Sequence, residues 1–183
     1  MRIKQLTALA ITSIIFSSCE FKCQIGDVGK KDEQKEVVEK PTEKQNPQLL
    51  NGIELNAEGI QVYRASLSLE SGDLLPSGNT VALGEKISLI LNIEKGWTEI
   101  DDKSFIGATE KITTDNGSVI LDSDDLFAAY DQGINASDAK VITLKARITQ
   151  ASAIPVDHYI VTFRVWDKKG RGVITGKYKF YIK

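Results

Sequence analysis

The sequence predicts an all-β fold, an antiparallel two-sheet β-sandwich of about seven strands. Two observations predict it. Apolar side chains recur at every second position in five segments beyond residue 60, the period of a strand with one buried and one wet face. Clusters rich in Gly, Asn, Asp, Ser and Pro separate those segments, as turns between short strands require. The chain has 183 residues, 42% of them hydrophobic, enough for one domain with a core plus appendages.

The amino-terminal element comes first. Arg2 and Lys4 precede an apolar run from Leu6 to Phe16, broken by Thr7, Thr12 and Ser13, and two serines then precede Cys19. This is the layout of a secretory signal. A helix of that run rises only about 16 Å, short of the ~30 Å hydrocarbon core, so a permanent span is not expected. Phe16-Ser17-Ser18-Cys19 resembles the bacterial lipobox, in which a small residue before cysteine permits cleavage once the thiol carries lipid. The usual residue at the position of Phe16 is leucine. The resemblance implies a signal peptide over residues 1–18, acylation of Cys19 and a membrane partner reached through the lipid. Cys23 follows Phe21 and Lys22, where the peptidase needs a small side chain. Several acyl chains, at about 0.8 kcal/mol per buried CH2, make such an anchor durable.

Residues 19–51 are expected to be a tether. Lys30 to Lys44 holds five acidic and five basic side chains, with Pro41 inside it and Pro47 after it. Such a stretch buries too little apolar surface to offset its ordering entropy. About thirty flexible residues span roughly 30 Å on average. A charge-paired helix packed on the domain is the alternative, with Lys35/Glu39 and Glu36/Lys40 at helical spacing.

The sandwich is expected over residues 52–183. Its inward sets are Tyr63, Ala65, Leu67, Leu69; Ile87, Leu89, Leu91, Ile93; Ile142, Leu144, Ala146, Ile148; Tyr159, Val161, Phe163, Val165; and Ile174, Tyr178, Phe180, Ile182. Turns are expected at Ser71-Gly72-Asp73, Pro76-Ser77-Gly78-Asn79, Asp115-Asn116-Gly117 and Lys168-Lys169-Gly170. Asn116-Gly117 predicts a type I′ hairpin. A short helical turn is expected over Asp124 to Tyr130, capped by Asp124 or Asp125 and turning Leu126, Phe127 and Tyr130 inward. The stretch from Asp157 to Gly170 contains Tyr159, alternating Val161, Phe163 and Val165, and then Asp167-Lys168-Lys169-Gly170. It resembles the last two strands of immunoglobulin-like domains in bacterial envelope proteins, which implies that fold and places Tyr159 at the tyrosine-corner position. The inter-sheet cysteine pair of antibody domains is absent.

Composition narrows the function. A net charge of -2 argues against nucleic acid as a partner, since phosphate binding relies on basic excess. One histidine and two cysteines are too few for most zinc or iron-sulfur sets, and no cofactor is expected. His158 beside Asp157 lacks an accompanying nucleophile elbow, so no catalytic residues are assigned and the chain is expected not to be an enzyme. From Asp115 to Asp138 the ionised side chains are all acidic. Ca²⁺ is one reading of that block, but Asp122-Ser123-Asp124-Asp125 lacks the calcium-loop spacing, and caps and turns explain it more simply. Lys177, Lys179 and Tyr181 share one face of the last strand, either as a contact surface or as lysines guarding a sheet edge. Trp97 and Trp166 are the candidate sugar-stacking aromatics, with a place in the core as the plainer reading. The expected function is a lipid-anchored module of the bacterial cell envelope, at the outer membrane, that contacts a protein partner without catalysis. A glycan bound at Trp97 or Trp166 is the alternative.

Overall fold

The computed structural model describes residues 46–149 and 156–183. The signal segment, Cys19, Cys23 and the tether up to residue 45 lie outside the described residues. The strands in chain order are β1 (Gln48–Leu49), β2 (Glu54–Glu58), β3 (Gln61–Leu69), β4 (Thr80–Val81), β5 (Lys86–Lys95), β6 (Glu99–Ile100), β7 (Lys103–Ser104), β8 (Ile106–Thr114), β9 (Val119–Asp122), β10 (Ile134–Asn135), β11 (Val141–Arg147), β12 (Tyr159–Asp167) and β13 (Val173–Ile182). One sheet runs β1-β3-β5-β11 and the other β2-β13-β12-β8-β9, with β4 joined to the end of β13 and a small sheet β10-β7-β6 besides. The pairing is antiparallel apart from β1 on β3 and β4 on β13. The fold is a β-sandwich. Strand pairing includes residues before 52, since Gln48 and Leu49 pair with Arg64 and Ala65.

Alternation decides the core. Ile87, Leu89, Leu91 and Ile93 from β5, Ile142, Leu144 and Ala146 from β11, and Val161, Phe163 and Val165 from β12 are all buried in one cluster. Burial of each large side chain contributes about 1.5–3 kcal/mol. In β3 the expected phase fails at its start. The register slips between Val62 and Arg64, so Val62 turns inward and Tyr63 stays 52% exposed. A β-bulge inserts one residue, and every side chain before it changes face.

Three further expectations are corrected. Gly117 N donates to Thr114 O, Thr114 N donates to Ser118 O, and only Gly117 of the turn has positive φ, at 86°. The β8–β9 loop is therefore a three-residue turn with a glycine bulge, not a type I′ pair. Asp124 to Tyr130 forms successive turns without a helix. Asp125 Oδ1 caps them by accepting from Phe127 N at 2.9 Å and Ala108 N at 3.0 Å. Only Phe127 packs on the core, while Leu126 and Tyr130 are exposed. Lastly, β13 lies between β2 and β12, so its lysines guard no edge.

Two buried carboxylates differ in their surroundings. Asp167 closes the β12–β13 turn: Oδ1 accepts from Lys169 N at 2.8 Å and Gly170 N at 2.9 Å, and Oδ2 accepts from Thr98 N at 2.7 Å. Burial pushes its pKa up, but the backbone donors outweigh burial and hold it below the usual range. Glu110 on β8 is only 2% exposed, and its Oε1 has no hydrogen-bond partner among the described residues. The Tyr178 hydroxyl on β13 is likewise buried without a partner.

Burial raises the Glu110 carboxyl from 4.5 to about 7. Its folded pKa lies above the unfolded one, so the stability it supports is whole below pH 4.5 and is lost as pH rises through 7. A shift of that size corresponds to about 3 kcal/mol. Urea denaturation of the wild type and Glu110→Gln at pH 5 and pH 8.5 measures it. The variant is expected to remove about 3 kcal/mol of the pH dependence, and parallel curves for the two proteins refute the assignment.

Candidate functional site

Two turns build the site. Asn51 and Gly52 join β1 to β2 with φ of 55° and 63°, and Gly78-Asn79 closes the loop before β4 with φ of 104° and 52°. Asparagine tolerates this left-handed region better than other residues with a side chain. The two asparagines then bond each other and both sheets. Asn51 Nδ2 donates to Leu75 O at 2.8 Å and to Asn79 Oδ1 at 3.1 Å, and Asn51 Oδ1 accepts from Leu67 N at 3.0 Å. Asn79 Nδ2 donates to Asn51 O at 2.7 Å and to Lys179 O at 2.8 Å. Since Leu67 lies on β3 and Lys179 on β13, this network spans the two sheets.

Above the network is a groove of about 570 Å³. Leu50, Leu74 and Leu75 form its apolar wall, and Lys177, Lys179 and Tyr181 line it from β13. Lys177 Nζ is 3.0 Å from Glu54 Oε2, an exposed pair that contributes little. Lys179 has no ion-pair partner among the described residues. The Tyr181 ring is 5.8 Å from that of His158, whose Nδ1 lies 2.9 Å from Asp157 Oδ2. A shallower depression shares Glu54 and Lys177 and runs on to Asn56, Thr162 and Thr175 over the outer face of the sheet.

The structure thus brings together Lys177, Lys179 and Tyr181 and separates the tryptophans from them. Trp97 is half-buried, packs against the core and donates its indole N–H to Ala139 O at 2.9 Å. Trp166 points outward between Val165 and Asp167, the buried neighbours of its strand. Its ring lies over Gly107, where any Cβ would collide with it, and the Arg164 guanidinium stacks on it at 4.8 Å. It shares the outer face with Lys177. However, Lys177 stands opposite Thr162, four residues and about 13 Å along β12 from Trp166. Cys19 lies outside the described residues.

The acidic block is used locally. Asp122 Oδ2 pairs with Lys111 Nζ at 2.9 Å, Asp125 Oδ2 with Lys168 Nζ at 2.6 Å, and Asp138 Oδ2 accepts from Asn135 at 3.1 Å. Among the described residues no three His, Cys, Asp or Glu side chains gather as metal ligands do. Sequence reading missed Asn51, Asn79 and Leu74 as groove residues. Asn51-Gly52 and Gly78-Asn79 each signal a turn, but nothing local says that the two turns meet.

No protein-family model matches the chain. No curated protein matches it either. Among solved structures, the crystal structure of the C-terminal domain of Wzt is similar with a TM-score of 0.42 and 14% identity, over 75% of this chain and 82% of that one.

The asparagine pair makes a separable prediction. Asn79→Gly removes the amide but keeps the backbone free, and is expected to cost about 1–3 kcal/mol. Asn79→Ala adds about 1 kcal/mol for a left-handed residue with a Cβ. Urea denaturation ranks the three proteins, and equal stabilities of the two variants contradict the backbone assignment.

Proposed function

We propose that this chain is a lipoprotein of the bacterial cell envelope, anchored at the outer membrane by acyl chains on Cys19. It presents the sandwich as a non-catalytic module that contacts a protein partner. The observation that carries the contact surface is the convergence of Lys177, Lys179 and Tyr181 in one groove over the Asn51–Asn79 network. An unpaired ammonium beside an aromatic ring and a leucine wall suits a partner loop carrying a carboxylate next to an apolar residue. The floor is held by paired amides, so the groove is preformed and little is lost in ordering it. The anchor is supported by the positive residues Arg2 and Lys4, the apolar segment after them and the cysteine at position 19.

A second reading is favoured by Trp166. Its ring lies flat on the sheet under Arg164, and a sugar that displaced the guanidinium would stack there. In this reading the ligand is a glycan, with Trp97 as the other candidate aromatic, held at the core rim by its indole N–H.

Two measurements test the proposal. Fractionation of cells carrying Cys19→Ala is expected to move the protein from the membrane pellet to the soluble fraction, and an unchanged pellet rejects the anchor. Crosslinking in intact cells is expected to capture one dominant neighbour, with yield falling at least about tenfold in Lys179→Glu, the equivalent of about 1.4 kcal/mol. An undiminished yield rejects the groove, and quenching of tryptophan fluorescence by oligosaccharides, lost in Trp166→Ala, turns the assignment to glycan.

A further inference from the structure

The two main sheets have four edges, and three are guarded. β1 has two residues and follows Pro47; β2 exposes Glu54, Asn56 and Glu58; β11 exposes Lys145 and Arg147. Short length, proline and charge are the devices that keep an edge from accepting another strand. β9 is four residues long and its pairing with β8 is irregular, but its apolar run carries neither proline nor charge. Val119, Ile120 and Leu121 are consecutive and 54%, 46% and 40% exposed. Asp122, the one charge on the strand, is paired with Lys111.

Among the described residues β9 pairs with β8 alone. Leu121 stands opposite Ile112, and Ser123 N donates to Glu110 O at 2.9 Å. Alternation from the Glu110–Ser123 pair turns the N–H and C=O of Asp122 away from β8, and Ile120 is the extra residue at the break in register between Leu121, opposite Ile112, and Val119, opposite Thr113. An extended segment has hydrogen-bonding groups and an apolar strip to meet there.

Charge decides what kind of segment fits. Around β9 lie Asp115, Asp122, Asp124 and Asp125, with no basic residue between Lys111 and Lys140. Lys111 and Lys168 are already engaged by Asp122 and Asp125. An antiparallel second copy would bring the turn that holds Asp115 towards the turn that holds the other copy's Asp124 and Asp125, which sets like charges near each other at both ends of the strand. A strand with basic ends meets attraction at the same places.

We propose that β9 accepts, by strand addition, an extended apolar segment of a partner protein that carries Lys or Arg at both ends. This rests on the reading of the chain as an interaction module, but on a different surface from the β13 groove.

The test uses the full chain in detergent and three synthetic peptides. One has an alternating valine and threonine core with lysines at both ends, the second has the same core with glutamates, and the third is the lysine peptide with its core amides N-methylated. The lysine peptide is expected to bind at least about tenfold tighter than the glutamate peptide, and N-methylation is expected to abolish binding. Ile120→Lys, which places a charge on an already exposed position, is expected to lose the lysine peptide while keeping the wild-type circular dichroism spectrum. Lys179→Glu is expected to keep the peptide, so failure of the groove and failure of this edge are told apart. The proposal is overturned if no peptide binds, if all three bind alike, if Ile120→Lys binds normally, or if sedimentation shows a dimer of the chain that Ile120→Lys dissolves.

Discussion

The interlock of Asn51 and Asn79 is the constraint on which the groove end of this sandwich depends. Two sheets packed face to face share an apolar core, but apolar contact is non-directional and sets neither the register of their loops nor the closure of their ends. Five directional bonds do so here, joining Leu67 on β3 to Lys179 on β13 through two side-chain amides. Both asparagines stand in the left-handed region, where a residue with a Cβ is strained by about 1–2 kcal/mol. The bonds offset that strain, and the shape left above them is the groove. Position and rigidity of Lys179 and Tyr181 follow from the same network, because Asn79 holds the backbone of both: its side chain bonds Lys179 O, and its carbonyl accepts from Tyr181 N.

Much of this fold is legible in the sequence because burial enforces a period. Ile87 to Ile93, Ile142 to Ile148 and Tyr159 to Val165 each put every second side chain into the core, as alternation predicts. The turn at Asp167-Lys168-Lys169-Gly170 is legible too, since one carboxylate can accept from the following amides. Failures occur where a single residue shifts the count or a partner is distant. Tyr63 is turned out by a bulge that β5 imposes on β3, and no pattern within β3 announces it. Leu126 and Tyr130 are left outside because the segment after Asp125 follows the edge of β8, as Leu126 N donating to Ala108 O shows. The lysines of β13 were legible as one face, yet whether that strand is an edge depends on β2, more than a hundred residues earlier.

The candidate site divides the same way. Lys177, Lys179 and Tyr181 share a face by strand period, so their association is readable from β13 alone. Their surroundings are not, because Asn51, Leu74 and Asn79 come from two loops that meet only in the folded chain. The tryptophans illustrate the limit of composition. Trp97 and Trp166 are chemically alike, but an acceptor at Ala139 O draws one into the core rim while the missing Cβ of Gly107 lets the other lie flat on the outer face.

Glu110 and Asp167 show what a sandwich tolerates inside. Both are buried, yet Asp167 is ringed by backbone N–H groups that hold its pKa down, whereas Glu110 Oε1 has no partner among the described residues and burial raises its pKa to about 7. A buried group without a full set of partners is a weak point in the layer that contains it. Glu110 belongs to β8, the strand that carries β9, and its own N–H and C=O are bonded to Ser123 just beyond β9. The carboxyl that burial raises to about 7 therefore sits on the strand next to β9. The backbone that carries this carboxyl is thus the backbone that fixes the residue following β9, through one bond to the Ser123 hydroxyl and one from the Ser123 N–H.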